Sequence, residues 1–157
     1  MIKGQAALEF LTTYGWAFLV ILVMIGALAY FGVLNPSKML PDRCMFSPEI
    51  QCVESKVVGN QGGNGVLMFR ITNNVGTTAS FSFGATDLTY NNQANSCDAS
   101  DGGVNIRSGS TIEVNCTFTG NTFPLKEKMK FEVNATYQKM GGTYFTPIKG
   151  EIYTEVQ

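Results

Sequence analysis

Between Glu9 and Lys38 the chain carries no charge. Within that gap, residues 10–34 form a run of 25 that is almost wholly apolar, broken only by Thr12, Thr13 and small residues. As a helix this run is roughly 37 Å long, against about 30 Å of bilayer hydrocarbon, so it is long enough to span a membrane. It is apolar on every side, and must therefore be buried on every side, in lipid or among other helices. Pro36 disfavours helical dihedrals at Asn35 and predicts the end of the helix there.

The flanks of the run give it a direction. Lys3 is the only base on the short amino-terminal side, which places that side in the cytoplasm and the remainder outside. The four cysteines, Cys44, Cys52, Cys97 and Cys116, all lie after the run, as do two Asn-x-Thr sequons at Asn115 and Asn134. An even set of cysteines suits disulfides in an oxidising compartment. The net charge of −1 gives no reason to expect nucleic acid. Histidine is absent, so the side chain most used for proton transfer near neutral pH is missing. GxSxG is absent too, and the glycine-rich stretches SGS and GNQGGNG read as turns, not phosphate cradles. The sequence predicts no enzyme and calls for no cofactor.

Past Lys38, Gly, Asn, Thr and Ser rise and the apolar period becomes two. Leu67, Phe69 and Ile71 share one face of GVLMFRITNN; Ala79, Phe81 and Phe83 share one face of TTASFSFG. Ile112, Val114, Cys116 and Phe118 do so in TIEVNCTF, and Met129, Phe131, Val133, Ala135 and Tyr137 in KMKFEVNATY. Each is a half-buried strand with a polar outer face. IQCVESKVV and TYFTPIKGEIYTEV add first and last strands. Turn signals at 59–65, 73–76, 100–103, 108–110 and 140–142 separate them. Seven or eight short strands in this span predict an immunoglobulin-like β-sandwich. The expected class is α+β: a long hydrophobic helix followed by a sandwich head.

The pleat puts Asn115 and Asn134 on the polar faces, available to a glycan if the head lies outside the cell. Four cysteines allow three pairings; the local one, Cys44 with Cys52 and Cys97 with Cys116, is expected, the second tying the NSCDASDGG loop to a strand. Zinc is disfavoured, since there is neither a Cys-x-x-Cys pair nor a histidine. Asp98, Asp101 and Asn105 lie in a glycine-rich loop, but their spacing is not that of an EF-hand, and acidic loops are usually turns.

Glu9 is the residue that most needs a reason. A carboxylate costs at least about 2.5–3.5 kcal/mol at the centre of a membrane helix and less near its ends. It fits a membrane boundary, or the interior of a secretory signal ending at Ala27-Leu28-Ala29, or a residue whose partner arrives on assembly. The signal reading suits poorly, because the apolar stretch is long, the start is barely basic and it contains an acid.

The third reading has motif support. Lys3, Gly4, Gln5 and Glu9, placed at the start of an apolar helix, resemble the class III signal peptide of archaeal type IV pilins. FLTTYGWAFLVILVMIGALAYFG is similar to the helices of that family, which lead into β-rich heads. The resemblance implies cleavage between Gly4 and Gln5 by a prepilin peptidase, giving a leader 1–4, a helix 5–36 and a head 37–157. It implies a homopolymer held by packed helices, driven by a pilus assembly ATPase on a membrane platform protein. It also implies that Glu9 neutralises the new Gln5 amine of an adjacent chain. Gly15, Gly26 and Gly32 would allow close approach or bending, and Tyr14, Trp16 and Tyr30 would lie at membrane interfaces before assembly. The product would be an adhesive surface filament. The alternative is a membrane-anchored extracellular immunoglobulin-like binding module that does not polymerise; it gives no reason for Gly4, Gln5 and Glu9.

Overall fold

The computed structural model describes residues 3–32, 40–89 and 92–157. It contains two compact units, Met1–Leu40 and Pro41–Gln157.

The first unit is one helix, α1 (Lys3–Tyr30). It stops short of the boundary predicted from Asn35 and Pro36, both of which lie outside the described residues. Gly32 supplies the physical reason. Its φ of 72° is left-handed, and the Phe31 and Gly32 amides donate to the carbonyls of Ala27 and Ala29 at 3.0 and 3.1 Å. Glycine takes that conformation without a steric penalty, so the last turn closes on it. Gly32 is a helix terminator here rather than a packing notch.

The second unit is built from β1 (Arg43–Phe46), β2 (Ile50–Gln61), β3 (Asn64–Asn73), β4 (Ala79–Asp87), β5 (Ala94–Ala99), β6 (Thr111–Phe118), β7 (Lys128–Lys139) and β8 (Phe145–Glu155). All pairings between these strands are antiparallel, in the order β1-β8-β7-β4-β5-β6-β3-β2. Folding that ladder at the β4–β5 hairpin gives two faces, β2-β3-β6-β5 and β4-β7-β8 with the short β1 added beside β8, which is an immunoglobulin-like arrangement. The alternation in the sequence now has its cause. Leu67, Phe69 and Ile71 of β3, Val114, Cys116 and Phe118 of β6, and Phe131 and Val133 of β7 are all buried between the faces. Phe131 meets Phe118 at 5.5 Å and Phe123 at 5.7 Å between ring centroids, and Phe69 meets Phe83 edge-on at 5.9 Å.

Two strands escape the sequence pattern. β5 replaces the expected NSCDASDGG loop, with only Ser100–Gly103 left as a short 3-10 turn. Asn95, Cys97 and Ala99 are its partly buried side chains, small residues that leave no apolar stripe. β1 is four residues long, too short to show a period.

Sheet edges offer unpaired N–H and C=O groups to other chains, and this head covers part of them. At one side β5 pairs with both β4 and β6. At the other, Val57 bridges Val156 in parallel, the Gly59 amide donates to Gln157 O at 3.1 Å, and the Gln157 amide donates to Val57 O at 2.9 Å. The Cys44–Cys52 disulfide joins β1 to β2 across the same seam, with Cα atoms 5.9 Å apart. Cys97 bonds Cys116 across an adjacent strand pair, Cα atoms 4.1 Å apart. Closing such loops restricts the unfolded chain and contributes on the order of 2–4 kcal/mol each.

The chain enters the head through Asp42. Its carboxylate accepts from Lys128 Nζ at 2.9 Å and Thr154 Oγ1 at 3.1 Å. Burial pushes its pKa up, but Lys128 and Thr154 outweigh burial and hold it below the ordinary value. Glu151 is held low chiefly by Lys130 at 2.8 Å, against a burial cost and with help from Arg43. A carboxylate depressed in the folded state stabilises fully above its unfolded pKa, and that stability is lost as pH falls through the folded value. Head melting temperature is therefore expected to hold from neutral pH down to about pH 5 and to fall below about pH 4. Glu151→Gln should flatten that acid limb; thermal melts across pH, read by circular dichroism, check it.

Candidate functional site

The helix is the candidate site, because it is the part of the chain whose surface has no internal use. Every described side chain from Leu8 to Phe31 is exposed, including Trp16 at 70% and Val23 at 63%. Exposure runs round the whole cylinder, as the unbroken apolar sequence requires. Leu8–Tyr30, 23 residues with a mean hydropathy of 2.0, is long and apolar enough to cross a membrane.

The two threonines that interrupt the run do not make it polar. The Thr12 hydroxyl donates to Leu8 O at 3.0 Å, and the Thr13 hydroxyl donates to Glu9 O at 2.8 Å. Both donors are satisfied inside the helix, so they add little to the cost of an apolar environment. Phe10 and Tyr14, one turn apart, bring their rings to 4.3 Å. Beyond Gly15 and Gly26 there is open space, so neither position is filled by the chain itself and each leaves a shallow notch on the rod.

Glu9 is exposed on the first turns of this rod. Among the described residues, no cation lies within ion-pair distance of it. Gly4 and Gln5 are part of α1, in its first turn, where the amides lack helical acceptors. A protease acting there would have to unwind only that turn, while Glu9, four residues past Gln5, stays one turn inside the helix. Met1 and Ile2, in the segment 1–4 expected to be a leader, lie outside the described residues.

In the head, the two sequons differ. Asn134 is exposed on β7, between Gly84 of β4 and Lys149 of β8. Asn115 is half-buried on β6, between Met68 of β3 and Asp98 of β5. Its Oδ1 is sealed from solvent, and its Nδ2 donates to Glu113 Oε1 at 3.4 Å. The periodicity of the strands cannot separate the two, because both point outward and only the neighbours differ. Of the loop residues considered for calcium, Asn105 takes a left-handed φ of 55° and donates its amide to Ser80 Oγ at 3.2 Å. Among the described residues no group of three acidic or thiol side chains is placed to hold a metal.

No known family pattern matches the chain, and no characterised protein matches it in sequence. Among solved structures it is similar to a chain of the archaeal flagellum of Methanospirillum hungatei strain JF1, at 15% identity, with a TM-score of 0.38, over 100% of this chain and 94% of that one. At so low a score the likeness carries no weight.

Proposed function

We propose that this chain is the structural subunit of an archaeal type IV pilus-like surface filament, used in adhesion. One observation carries the reading: a helix whose described side chains from Leu8 to Tyr30 are exposed all round and, beyond the carboxylate of Glu9 near its start, uncharged and almost wholly apolar. Such a surface needs lipid or copies of itself. The subunit waits in the cytoplasmic membrane, its helix in lipid and its head outside. A prepilin peptidase removes residues 1–4. An assembly ATPase and a platform protein then transfer the helix from lipid into a bundle of identical helices. Apolar burial is exchanged for apolar burial, so close packing and motor work drive the step. Glu9 meets the Gln5 amine of an adjacent chain, which offsets a desolvation cost that neither charge could bear alone. The head, disulfide-bonded and with a polar outer face, is suited to the outer coat.

Shearing cells and imaging the released material tests this. Helical fibres made of this chain are expected; a head that remains a lone membrane-tethered module contradicts it.

Glycosylation of the coat has one favoured position. Glycan attachment needs a free Asn amide on an accessible strand, and Asn134 meets that condition where Asn115 does not. Asn134→Gln is expected to remove glycan mass from the subunit and Asn115→Gln to leave the mass unchanged, as read by intact-protein mass spectrometry. Glycan found on Asn115 alone would reverse the assignment.

A further inference from the structure

Among the described residues, four glycines lie inside strands: Gly59 in β2, Gly65 in β3, Gly84 in β4 and Gly150 in β8. Three have their reason within the head. A Cβ on Gly59 or Gly65 would come within 3 Å of Phe123, and one on Gly150 within 3 Å of Phe46. Gly84 has no such reason. Its φ is not left-handed, and a Cβ there would meet nothing nearer than Asn95 O at 3.4 Å, an ordinary contact. Glycine weakens the interior of a strand. Where neither backbone nor packing asks for it, it marks a place that another group approaches closely.

The register says which group. Gly84 stands directly opposite Asn134 of β7, the sequon asparagine that is exposed. Asn134 and Thr136, the two ends of that sequon, share the outer face, while Val133 and Ala135 are buried on the inner one. A shallow recess of about 370 Å³ opens on the outer face, bordered by Ser82, Gly84, Asn134, Thr136, Pro147 and Lys149. The two sides of Asn134 are unlike. On the β8 side stands Lys149, long, 80% exposed and 3.9 Å from Glu132. On the β4 side Gly84 presents no side chain at all, and Ser82 along the same face is small. A group carried on the Asn134 amide therefore has room over β4 and is crowded over β8.

We infer that the first sugar of an Asn134-linked glycan folds back over Gly84 and fills this recess, its hydroxyls meeting those of Ser82 and Thr136. The inference rests on glycan attachment at Asn134 and is independent of polymerisation. A free small molecule is usually enclosed over most of its surface, and so open a recess does not enclose one. A sugar already tied to Asn134 needs no such enclosure, because attachment makes the contact intramolecular. Asn115 has no comparable shelf, since its neighbours in register are Met68 and Asp98.

The full chain, made in the cells it comes from and purified in detergent, tests this in a cycle of Asn134→Gln and Gly84→Thr. Intact mass establishes the glycan, and thermal melting reads the coupling. Loss of the glycan through Asn134→Gln is expected to lower the head's midpoint by about 3 °C when residue 84 is glycine, and by less than about 1 °C when Gly84→Thr fills the recess. Gly84→Thr should raise the midpoint without the glycan, because a β-branched residue suits a strand, and lower it with the glycan. If Gly84→Thr does not fold, Gly84→Ala completes the same cycle, with a smaller loss of coupling expected. An equal shift in both backgrounds, or none in either, overturns the contact and leaves the modification standing. An unmodified Asn134 overturns both.

Discussion

Glu9→Ala is expected to cut the yield of sheared filaments at least tenfold while leaving the amount of membrane-inserted subunit unchanged. Glu9 is the only charge from residue 4 to residue 37, and it sits on a rod with no described cation beside it. Removing it makes the helix more apolar, so insertion into lipid should not suffer. A membrane anchor would tolerate or even prefer the change. A filament would not, because the Gln5 amine of a neighbouring chain would be left buried and unpaired. Breaking one side of a buried pair costs about 3–5 kcal/mol. A tenfold loss corresponds to about 1.4 kcal/mol and is therefore a floor. Glu9→Gln should behave like Glu9→Ala, since it keeps the shape and loses the charge. Undiminished filament mass with an unchanged helical rise would remove the pairing role.

Phe131→Ala should destabilise the head by about 3–5 kcal/mol, a large part of the roughly 5–15 kcal/mol that holds a domain of this size. Phe131 has no exposed surface. It stands on β7, where its neighbours Asp87 on β4 and Ile152 on β8 fix it on both sides, and its ring touches Phe118 and Phe123 from the opposite face. A deletion there leaves a cavity bordered by rings that belong to different strands and cannot collapse together. Tyr144→Ser, by contrast, removes a ring that is 87% exposed and should change stability by less than about 0.5 kcal/mol. Denaturant unfolding of the two variants, followed by tryptophan-independent circular dichroism because Trp16 is in the helix, reads the difference. Equal stabilities would mean that the core is not organised around Phe131.

The sequence shows these two effects with different clarity. Phe131 is legible from period two alone: Met129, Val133, Ala135 and Tyr137 share its face, and all are buried. The rod is legible because no charge interrupts it. β5 is not legible, since a strand whose inner face is Asn95, Cys97 and Ala99 looks like a polar loop until Cys116 is known to stand opposite Cys97. The helix end is easily misplaced because proline is a louder signal than glycine, and Gly32 acts first. The contrast between Asn115 and Asn134 depends on cross-strand neighbours, which no local pattern contains.

A rod that is held first by lipid and then by copies of itself should change its surroundings without changing its shape. The most direct test is a lipid-soluble carbene label applied to the membrane-inserted subunit and, separately, to sheared fibres, with modified residues read by mass spectrometry. Labelling all round residues 10–31 in membranes, and its loss in fibres whose subunits still contain those residues, is the predicted result. Equal labelling in both, or fibres whose subunits begin after residue 29, would contradict it.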